Sequence, residues 1–164
     1  MTVRSPLDTQ VEMTQIVLPS HTNNHGTIFG GQVAAWCDIC AAVSAQRFCR
    51  GPVVTASMDQ LHFLEPIRKG MVVIFLSQVN QVWRTSMEVG VRVLAEDPMT
   101  GARSHCCSAY LTFVALNEQG KPTQLPSLNL TKDAEFHRRA KEADIRKAHR
   151  LELKRLRQKD AQRD

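Results

Sequence analysis

One acidic residue, Asp38, lies in the middle of an otherwise apolar segment that runs from Phe29 to Phe48. An ionised carboxylate is costly to place among apolar side chains unless it is solvated, paired or used in a reaction. If the segment is a helix, the face around Asp38 consists of small residues, namely Gly31, Ala34, Ala35, Ala41, Ala42, Ala45 and Cys49. Another backbone or a slender ligand could approach the carboxylate closely across such a face. Asp38 is therefore either a reactive group or a structural one, paired with Arg47 or with a polar group on a neighbouring strand.

The start of this segment offers a second kind of chemistry. Residues 26–31 read Gly-Thr-Ile-Phe-Gly-Gly and lie where a polar loop meets the predicted helix. A helix N-terminus presents unpaired N–H groups and the positive end of the helix dipole. The pair Gly30 and Gly31 leaves those donors open to a carbonyl oxygen, as in an oxyanion hole. The alternative is a tight turn packed against a sheet.

Other chemistries find less support in the residue pattern. Cys37 and Cys40 enclose two residues, but no second Cys or His pair follows at the spacing of a structural zinc site. His21 and His25 lie in a loop, where their spacing fixes no geometry. The sequence contains neither a Gly-x-Ser-x-Gly elbow nor a Cys-His-Asn order, so a serine esterase or a thiol nucleophile is not indicated. We expect no metal and no cofactor.

The elements predicted around this helix form an α+β domain. A strand over residues 11–18 precedes the helix at 29–49, and four strands follow, at 53–64, 72–82, 86–95 and 105–116. Short turns separate these strands, which favours one antiparallel sheet with the helix on one of its faces. The bulky helix residues are expected to anchor the helix in the core, namely Phe29, Val33, Trp36, Cys40 and Val43.

Composition places the chain among single-domain proteins of a reducing compartment. The 164 residues fit one domain, and the five cysteines are odd in number and lie within apolar periodic segments. The first residues contain no apolar run typical of a leader peptide. No segment reaches the roughly 18 apolar residues of a membrane span. We therefore expect a cytoplasmic protein with free thiols and no membrane span.

The net charge of +5 is confined to the C-terminal tail. Residues 132–164 hold 12 Lys and Arg against 7 Asp and Glu, whereas the rest of the chain is neutral. The tail alternates both signs at helical spacing, as in Glu135 and Arg139 or Glu142 and Arg146, which is typical of a solvated helix with internal ion pairs. Aromatic residues are sparse there, so a nucleic-acid partner is not expected.

Together these motifs resemble those of the hotdog-fold acyl-CoA thioesterases, more narrowly the cytosolic acyl-CoA hydrolase group and its bacterial relatives. The motifs are His21-Thr-Asn-Asn-His-Gly-Thr-Ile-Phe-Gly-Gly31, Asp38 seven residues later, Val53-Val-Thr-Ala-Ser-Met-Asp-Gln-Leu-His-Phe63, Pro66-Ile-Arg-Lys-Gly70 and Arg84-Thr-Ser-Met-Glu-Val89. The resemblance implies a hotdog domain over residues 10–118, after an N-terminal extension over 1–9. A linker over 119–131 and a charged C-terminal helix over 132–164 complete the chain.

For the fold and assembly, the resemblance implies an antiparallel sheet wrapped around a long central helix. It also implies a homo-oligomer, in which two sheets pair into a dimer with shared active sites and three dimers form a homohexamer. The substrate would be acyl-CoA, with CoA present only as part of substrate and product.

For the site, the resemblance implies that Asp38 is the general base or the nucleophile and that Gly30 and Gly31 polarise the thioester carbonyl. Several members carry Asn or Asp at the position of Thr27, which here is expected to contact substrate. Asn23, Asn24 or His25 would supply the missing polar group, and Asn24 is counted among the catalytic residues. Arg84, Thr85 and Ser86 are the first choice for CoA, ahead of Arg68 and Lys69, and further groove residues are Thr55, Ser57 and Met87.

Two other functions stay open on the sequence alone. A hotdog enoyl-CoA hydratase or dehydratase would need a His and acid pair, for which His25 is the candidate beside Asp38. A non-catalytic acyl-CoA-binding module would bind the substrate without turnover. Nor does the sequence decide between activation of water by Asp38 and direct attack of Asp38 to form a mixed anhydride.

Overall fold

The protein is described here by a computed structural model that covers residues 3–160. Its strands are β1 (Val3–Arg4), β2 (Val11–Ile16), β3 (Val53–Met58), β4 (Val72–Val82), β5 (Ser86–Glu96), β6 (Arg103–Ala115) and β7 (Ser127–Leu128). Its helices are α1 (Gly30–Cys49) and α2 (Ala134–Asp160), and short 3-10 turns occur at Pro6–Thr9 and Pro19–His21.

Five strands form one antiparallel sheet in the order β2-β4-β5-β6-β3. The sheet curls around α1, which contacts all five of its strands. The predicted α+β hotdog fold, a sheet wrapped around a central helix with a further C-terminal helix, is confirmed. The edge strand β3 pairs with β6 on one side, and its ladder shifts register between Thr55 and Ser57. This shift bends the strand next to the middle of α1.

Helix α1 packs on the sheet through a stripe at helical spacing. The buried residues are Val33, Trp36, Cys37, Cys40, Ala41, Ser44, Ala45 and Phe48. Small side chains in this stripe let the helix lie close to the sheet. The helix ends where Arg50 adopts a left-handed conformation, with φ 57°.

Two predictions about the faces of α1 are wrong. Phe29 does not anchor the core, because it is the N-cap residue, lies before the first helical turn and is 54% exposed. Ala41 and Ala45, assigned to the open face around Asp38, are buried because the packed stripe runs along the side of the helix that carries Cys37 and Ser44. Val33, Trp36 and Cys40 are core residues as predicted, and Val43 is half-buried.

The strand predicted over 53–64 is too long. Strand β3 ends at Met58, and only two further backbone bonds tie the following residues to β6, from Asp59 N to Tyr110 O and from Leu64 N to Cys106 O. Residues 59–66 therefore form a segment that leaves the sheet and returns to it, and we call it the rim segment. The β1 and β7 pair was not predicted, because a two-residue parallel ladder between distant segments has no periodic signal.

Helix α2 lies against the sheet face opposite α1. The core residues Met87 and Val89 alternate with Glu88, which points away from α1 and contacts Arg146 of α2. The helix was predicted over 132–164, and it begins at Ala134, while residues 161–164 lie outside the described part of the chain. Its predicted pairs occur, Glu135 with Arg139 at 2.8 Å and Glu142 with Arg146 at 3.9 Å. One face is packed and not solvated, because Phe136, Ala140 and Ala143 are buried.

Within residues 3–160, no helix combines the length and the apolar character needed to cross a membrane.

Candidate active site

Asp38 lies half-buried on α1, and one hydroxyl group holds it. The Oγ1 of Thr55 on β3 donates a hydrogen bond to Asp38 Oδ1 at 2.7 Å. The basic partner considered for Asp38, Arg47, instead donates to the carbonyl of Gln10. No Lys, Arg or His of residues 3–160 lies within ion-pair distance of Asp38. The carboxylate is thus oriented by a neutral donor and keeps one oxygen without a partner in this part of the chain.

The helix face around Asp38 is open in the single chain. Gly31 and Ala35 are exposed, and Ala34 and Ala42 are half-buried. The apolar side chain of Ile39, next to Asp38, is 55% exposed. A ligand or a second chain therefore has access to the carboxylate across residues that carry little or no side chain.

A closed turn delivers the chain to the start of α1. Asn23 Oδ1 accepts hydrogen bonds from the backbone N–H groups of His25 at 2.9 Å and Thr27 at 3.3 Å, and Asn23 Nδ2 donates to Thr27 Oγ1 at 2.9 Å. Gly26 supplies the positive φ of 74° that this turn requires. Asn24 and His25 are exposed, and their side chains make no hydrogen bond within residues 3–160. Asn23 is thus the polar residue built into the turn.

The first N–H groups of α1 are open donors. Neither Gly30 N nor Gly31 N has an acceptor among the described residues, and Phe29 provides no side-chain cap. These donors lie two turns of helix before Asp38. The two N–H groups predicted to receive a carbonyl oxygen are therefore unpaired in the described part of the chain.

A cleft of about 280 Å³ opens beside this helix start. Its lining residues are Thr27, Ile28, Gly30, Phe63, Leu64, Glu65, Pro66 and Ile67. The ring of Phe63 lies so close to Gly30 that a Cβ at this position would be 3.2 Å from Cε2 of the ring. Thr27, predicted to contact substrate, is in the wall of the cleft. The contribution of the rim segment was not predicted, although the apolar pair Phe63 and Leu64 close to Pro66 was a usable signal.

Of the other predicted binding residues, Arg68 lies beside this cleft, in an isolated β-bridge with Thr27, whereas Ser57, Arg84, Thr85, Ser86 and Met87 do not line it. Arg84 and Thr85 lie in the turn between β4 and β5, where Arg84 is exposed, and Ser86 is the first residue of β5. Ser57 is half-buried on β3. Met87 is wrong as a groove residue, because its side chain is fully buried in the core and is not available to a ligand in this chain.

The cysteines are held as neutral thiols. All five are free, and Cys37, Cys40, Cys106 and Cys107 are buried. Burial raises the pKa of the Cys37 thiol well above its usual range and the pKa of the Cys107 thiol to about 11. Because the thiolate is the reactive form, these groups are poor nucleophiles at neutral pH.

Known proteins share both this sequence pattern and this fold. Residues 25–102 match the thioesterase superfamily. The uncharacterized acyl-CoA thioester hydrolase YkhA of Bacillus subtilis is 45% identical over 119 residues, which cover 73% of this chain and 69% of that protein. Acyl-coenzyme A thioesterase 11 of Mus musculus is 41% identical over 125 residues, which cover 76% of this chain but 21% of the mouse protein.

Solved structures extend the similarity over nearly the whole chain. The acyl-CoA hydrolase of Staphylococcus aureus, solved in complex with butyryl coenzyme A, coenzyme A and coenzyme A disulfide, is 34% identical with a TM-score of 0.87, over 98% of this chain and 99% of that chain. An apo-hexameric acyl-CoA thioesterase is 35% identical with a TM-score of 0.88, over 93% and 97% of the two chains.

Three further structures of the Staphylococcus aureus hydrolase carry single alanine replacements of an Asn, an Asp and a Thr. In that sequence the Asp lies 15 residues after the Asn, and the Thr lies 17 residues after the Asp. The same separations join Asn23, Asp38 and Thr55 in this chain. Sequence and fold agree over nearly the full length, and this chain belongs to the hotdog-fold acyl-CoA thioesterases.

Proposed function

We propose that this protein hydrolyses the thioester of acyl-CoA to a free fatty acid and CoA, with Asp38 as the catalytic carboxylate. The observation that carries the proposal is the accessible Asp38 carboxylate, held at 2.7 Å by Thr55 and free of any basic partner within residues 3–160. A carboxylate in this state can accept a proton from water, and a paired one cannot do so as readily.

In the proposed reaction the free oxygen of Asp38 takes a proton from a water molecule as the water oxygen attacks the thioester carbonyl carbon. The oxyanion that forms accepts hydrogen bonds from the N–H groups of Gly30 and Gly31. The tetrahedral intermediate then breaks its carbon–sulfur bond. The leaving sulfur of CoA takes the proton from Asp38 and departs as a thiol, which restores the carboxylate. The hydrogen bond from Thr55 keeps the carboxylate aimed at the water throughout.

Direct attack of Asp38 on the carbonyl is the competing route. It would give a mixed anhydride and CoA thiolate, followed by attack of water on the anhydride. Turnover in ¹⁸O-labelled water identifies the anhydride route when water attacks the anhydride at its aspartyl carbon. That attack would place the label in Asp38, which mass spectrometry of the peptide detects, whereas water activation, like attack of water on the acyl carbon of the anhydride, labels only the fatty acid.

For the polar residue that assists Asp38, we propose Asn23 in place of Asn24. Asn23 closes the turn before the helix and bonds to Thr27 Oγ1, and its spacing to Asp38 equals that of the Asn and Asp replaced in the Staphylococcus aureus hydrolase. Asn24, the residue chosen from the sequence, is exposed.

We further propose that the site is completed by a second copy of the chain. The open helix face around Asp38 and the free edge of β3 are continuous with each other through the contact between Thr55 and Asp38. Pairing of two β3 edges would cover both, and three such dimers would give a hexamer, the assembly of a relative that shares 35% of its residues. Arg84, Thr85 and Ser86 remain the proposed contacts for the CoA nucleotide, with Thr55 and Ser57 beside the acyl thioester.

A thiol-release assay over acyl-CoA substrates of increasing chain length tests the proposed function. We expect release of CoA from at least one range of chain lengths, with the fatty acid as second product. Hydration of an enoyl-CoA without thiol release would point to a hydratase. Saturable acyl-CoA binding with no product at any chain length would point to a binding module. Either result would overturn the proposal.

A further inference from the structure

Helix α2 is fixed to the sheet by a buried ionic cluster centred on Glu88. The side chain of Glu88 is fully buried and accepts hydrogen bonds from Arg146, whose Nη2 lies 2.7 Å from Glu88 Oε1. The Arg146 guanidinium also stacks on Tyr110, 3.6 Å from the ring centroid. Arg150 Nη1 lies 3.4 Å from Glu88 Oε2. Two arginines on successive turns of α2 therefore share one buried carboxylate.

Arg150 has a second and closer partner. Its Nη1 lies 2.7 Å from Asp59 Oδ2, and the two side chains are only 20% and 18% exposed. Asp59 is the first residue after β3, the strand that carries Thr55. Because both charges are largely desolvated, loss of one partner leaves the other unpaired in a poor environment. Asp59 is thus held by α2 through its side chain and by β6 through its backbone N–H.

Asp59 is also the first residue of the rim segment, which has few other attachments. The backbone bonds at Asp59 and Leu64 hold its two ends, and between them no backbone bond to another part of residues 3–160 occurs. Leu61 packs on the core, but Gln60 and residues 62–66 are exposed. The path of this segment therefore depends on how its two ends are anchored.

The far half of the rim segment is a wall of the proposed active-site cleft. Residues 63–66 line the cleft together with Thr27 and Gly30, and the Phe63 ring contacts the start of α1. A displacement at Asp59 reaches this wall through three intervening residues, 60–62.

From this continuity we infer that Arg150 is a positioning residue for acyl-CoA: by holding Asp59, it sets the rim segment that forms one wall of the cleft. This inference rests on the proposed function. Arg146 still docks α2 when Arg150 is changed, and Asp144 adds a bond from Trp83 Nε1 at 2.9 Å. The role of Arg150 can therefore be separated from docking of the helix.

The test compares Arg150→Met, Asp59→Asn and the double variant with two controls in the full-length protein. Arg155→Met is the matched surface control, because Arg155 pairs with Glu152 on the same helix. Arg146→Met is the docking control, because it weakens the attachment of α2 but leaves Asp59 with Arg150. For each variant we measure KM and kcat for acyl-CoA, the melting temperature, and hydrogen exchange of the Asp59 and Leu64 amides.

For Arg150→Met and Asp59→Asn we expect KM to rise about three- to tenfold with kcat within about twofold of the original value. The double variant should resemble Arg150→Met in KM, because each single variant already breaks the contact between Asp59 and Arg150, and Arg150→Met also removes the contact with Glu88. Faster exchange at the Asp59 and Leu64 amides should accompany the change in KM. Arg155→Met should change neither KM nor the amide exchange, and Arg146→Met should lower the melting temperature with KM unchanged.

Two results would overturn the inference alone. One is an unchanged KM in Arg150→Met while the original protein is active, and the other is an equal change of KM in Arg146→Met, which would assign the effect to helix docking. Absence of thiol release in the original protein would instead overturn the proposed function and remove the basis of the inference with it. In that case amide exchange would still report whether Arg150 anchors the rim segment.

Discussion

At the scale of single residues, the contact between Thr55 and Asp38 decides how the reactive carboxylate is presented. The hydroxyl donates to one carboxylate oxygen at 2.7 Å and thereby fixes the plane of the group. A charged partner in the same place would hold the carboxylate more tightly and lower its basicity. The neutral donor orients Asp38 and leaves its second oxygen available for a proton.

Thr55→Val should separate this role from strand stability. Valine keeps the branched shape that suits a strand but cannot donate a hydrogen bond. We expect kcat for thiol release to fall about 10- to 100-fold, since one charge-assisted hydrogen bond is lost. The melting temperature should stay within about 2 °C. Thr55→Ser keeps the donor and should retain most of the activity; equal losses in Val and Ser variants would contradict the role of the hydroxyl.

The buried thiols give a prediction about pH. The pKa of Cys107 is raised to about 11 by burial, and the pKa of Cys37 is raised further. A raised thiol pKa means that the neutral form dominates below it, so at pH 8 only about one Cys107 in a thousand is a thiolate. Iodoacetamide at pH 8 should leave thiol release intact and label Cys37 and Cys107 only after unfolding. Peptide mass spectrometry checks this, and rapid native labelling with loss of activity would contradict it.

Residue by residue, the sequence points to candidate site residues where the signal is local. Asp38 and the pair Gly30 and Gly31 stand out because a carboxylate or a glycine pair contradicts the apolar pattern of the helix around it. The bond to Thr55 was not predictable, because it depends on how far β3 slides along β6 and on the register shift at Thr55. Met87 was wrongly assigned to the groove for a similar reason. The sequence of β5 does not show which of the two strand faces packs on the core.

At the scale of secondary-structure elements, α2 depends on a buried charge for its attachment. Glu88 is fully buried and contacts Arg146 and Arg150, while the apolar contact of the helix is limited to small residues and Phe136. A buried carboxylate shared by two arginines stabilises the contact only as long as all members are present. The tail is therefore an integral part of the domain through residue 150, and the side chains of residues 151–159 are exposed.

Glu88→Gln should consequently lower the free energy of unfolding by about 3 kcal/mol, the usual cost of removing one partner from a buried ion pair. Urea denaturation followed by circular dichroism measures the change. Glu152→Gln is the matched control, because Glu152 also pairs with an arginine of α2, but at the surface. It should leave the unfolding midpoint unchanged, and an equal effect of both substitutions would contradict the buried role of Glu88.

Elements were predictable to the extent that their periodicity is regular. Strand β4 has the predicted bounds, because a clear turn limits it on each side, at residues 65–70 and 83–85. The prediction for β3 ran on to residue 64, because residues 59–64 alternate as a strand would although they leave the sheet after Met58. The contacts of α2 with Glu88 and Asp59 could not be predicted, because charged residues occur on every side of this helix and give no sign of which side packs on the sheet.

At the scale of the whole molecule, the single chain leaves the site uncovered on one side. The face of α1 around Asp38 and the edge of β3 both lack a partner within residues 3–160. Exposed apolar groups border this region, notably Ile39 at 55% and Val54 at 46%. Such a surface is typical of an interface between copies, and a sequence read as one chain does not reveal what covers it.

Ile39→Arg should break the proposed dimer, because an arginine would be buried without a partner where the second copy covers the face of α1. We expect the oligomer to dissociate at micromolar concentration and thiol release to fall in parallel. Sedimentation measures the dissociation, and the thiol-release assay measures the activity. Met99→Arg is the control, since Met99 is 90% exposed in the turn between β5 and β6. An unchanged assembly in Ile39→Arg would place the interface elsewhere.

The central claim, that the Asp38 carboxylate performs the hydrolysis, is tested most directly by thiol release from acyl-CoA in Asp38→Asn. Asparagine keeps the size of the side chain and its contact with Thr55 but cannot accept a proton from water or attack the carbonyl. We predict a fall in kcat of at least about 10³-fold, with the oligomer and the melting temperature unchanged. Turnover within about tenfold of the original protein would contradict the account and remove Asp38 from the mechanism.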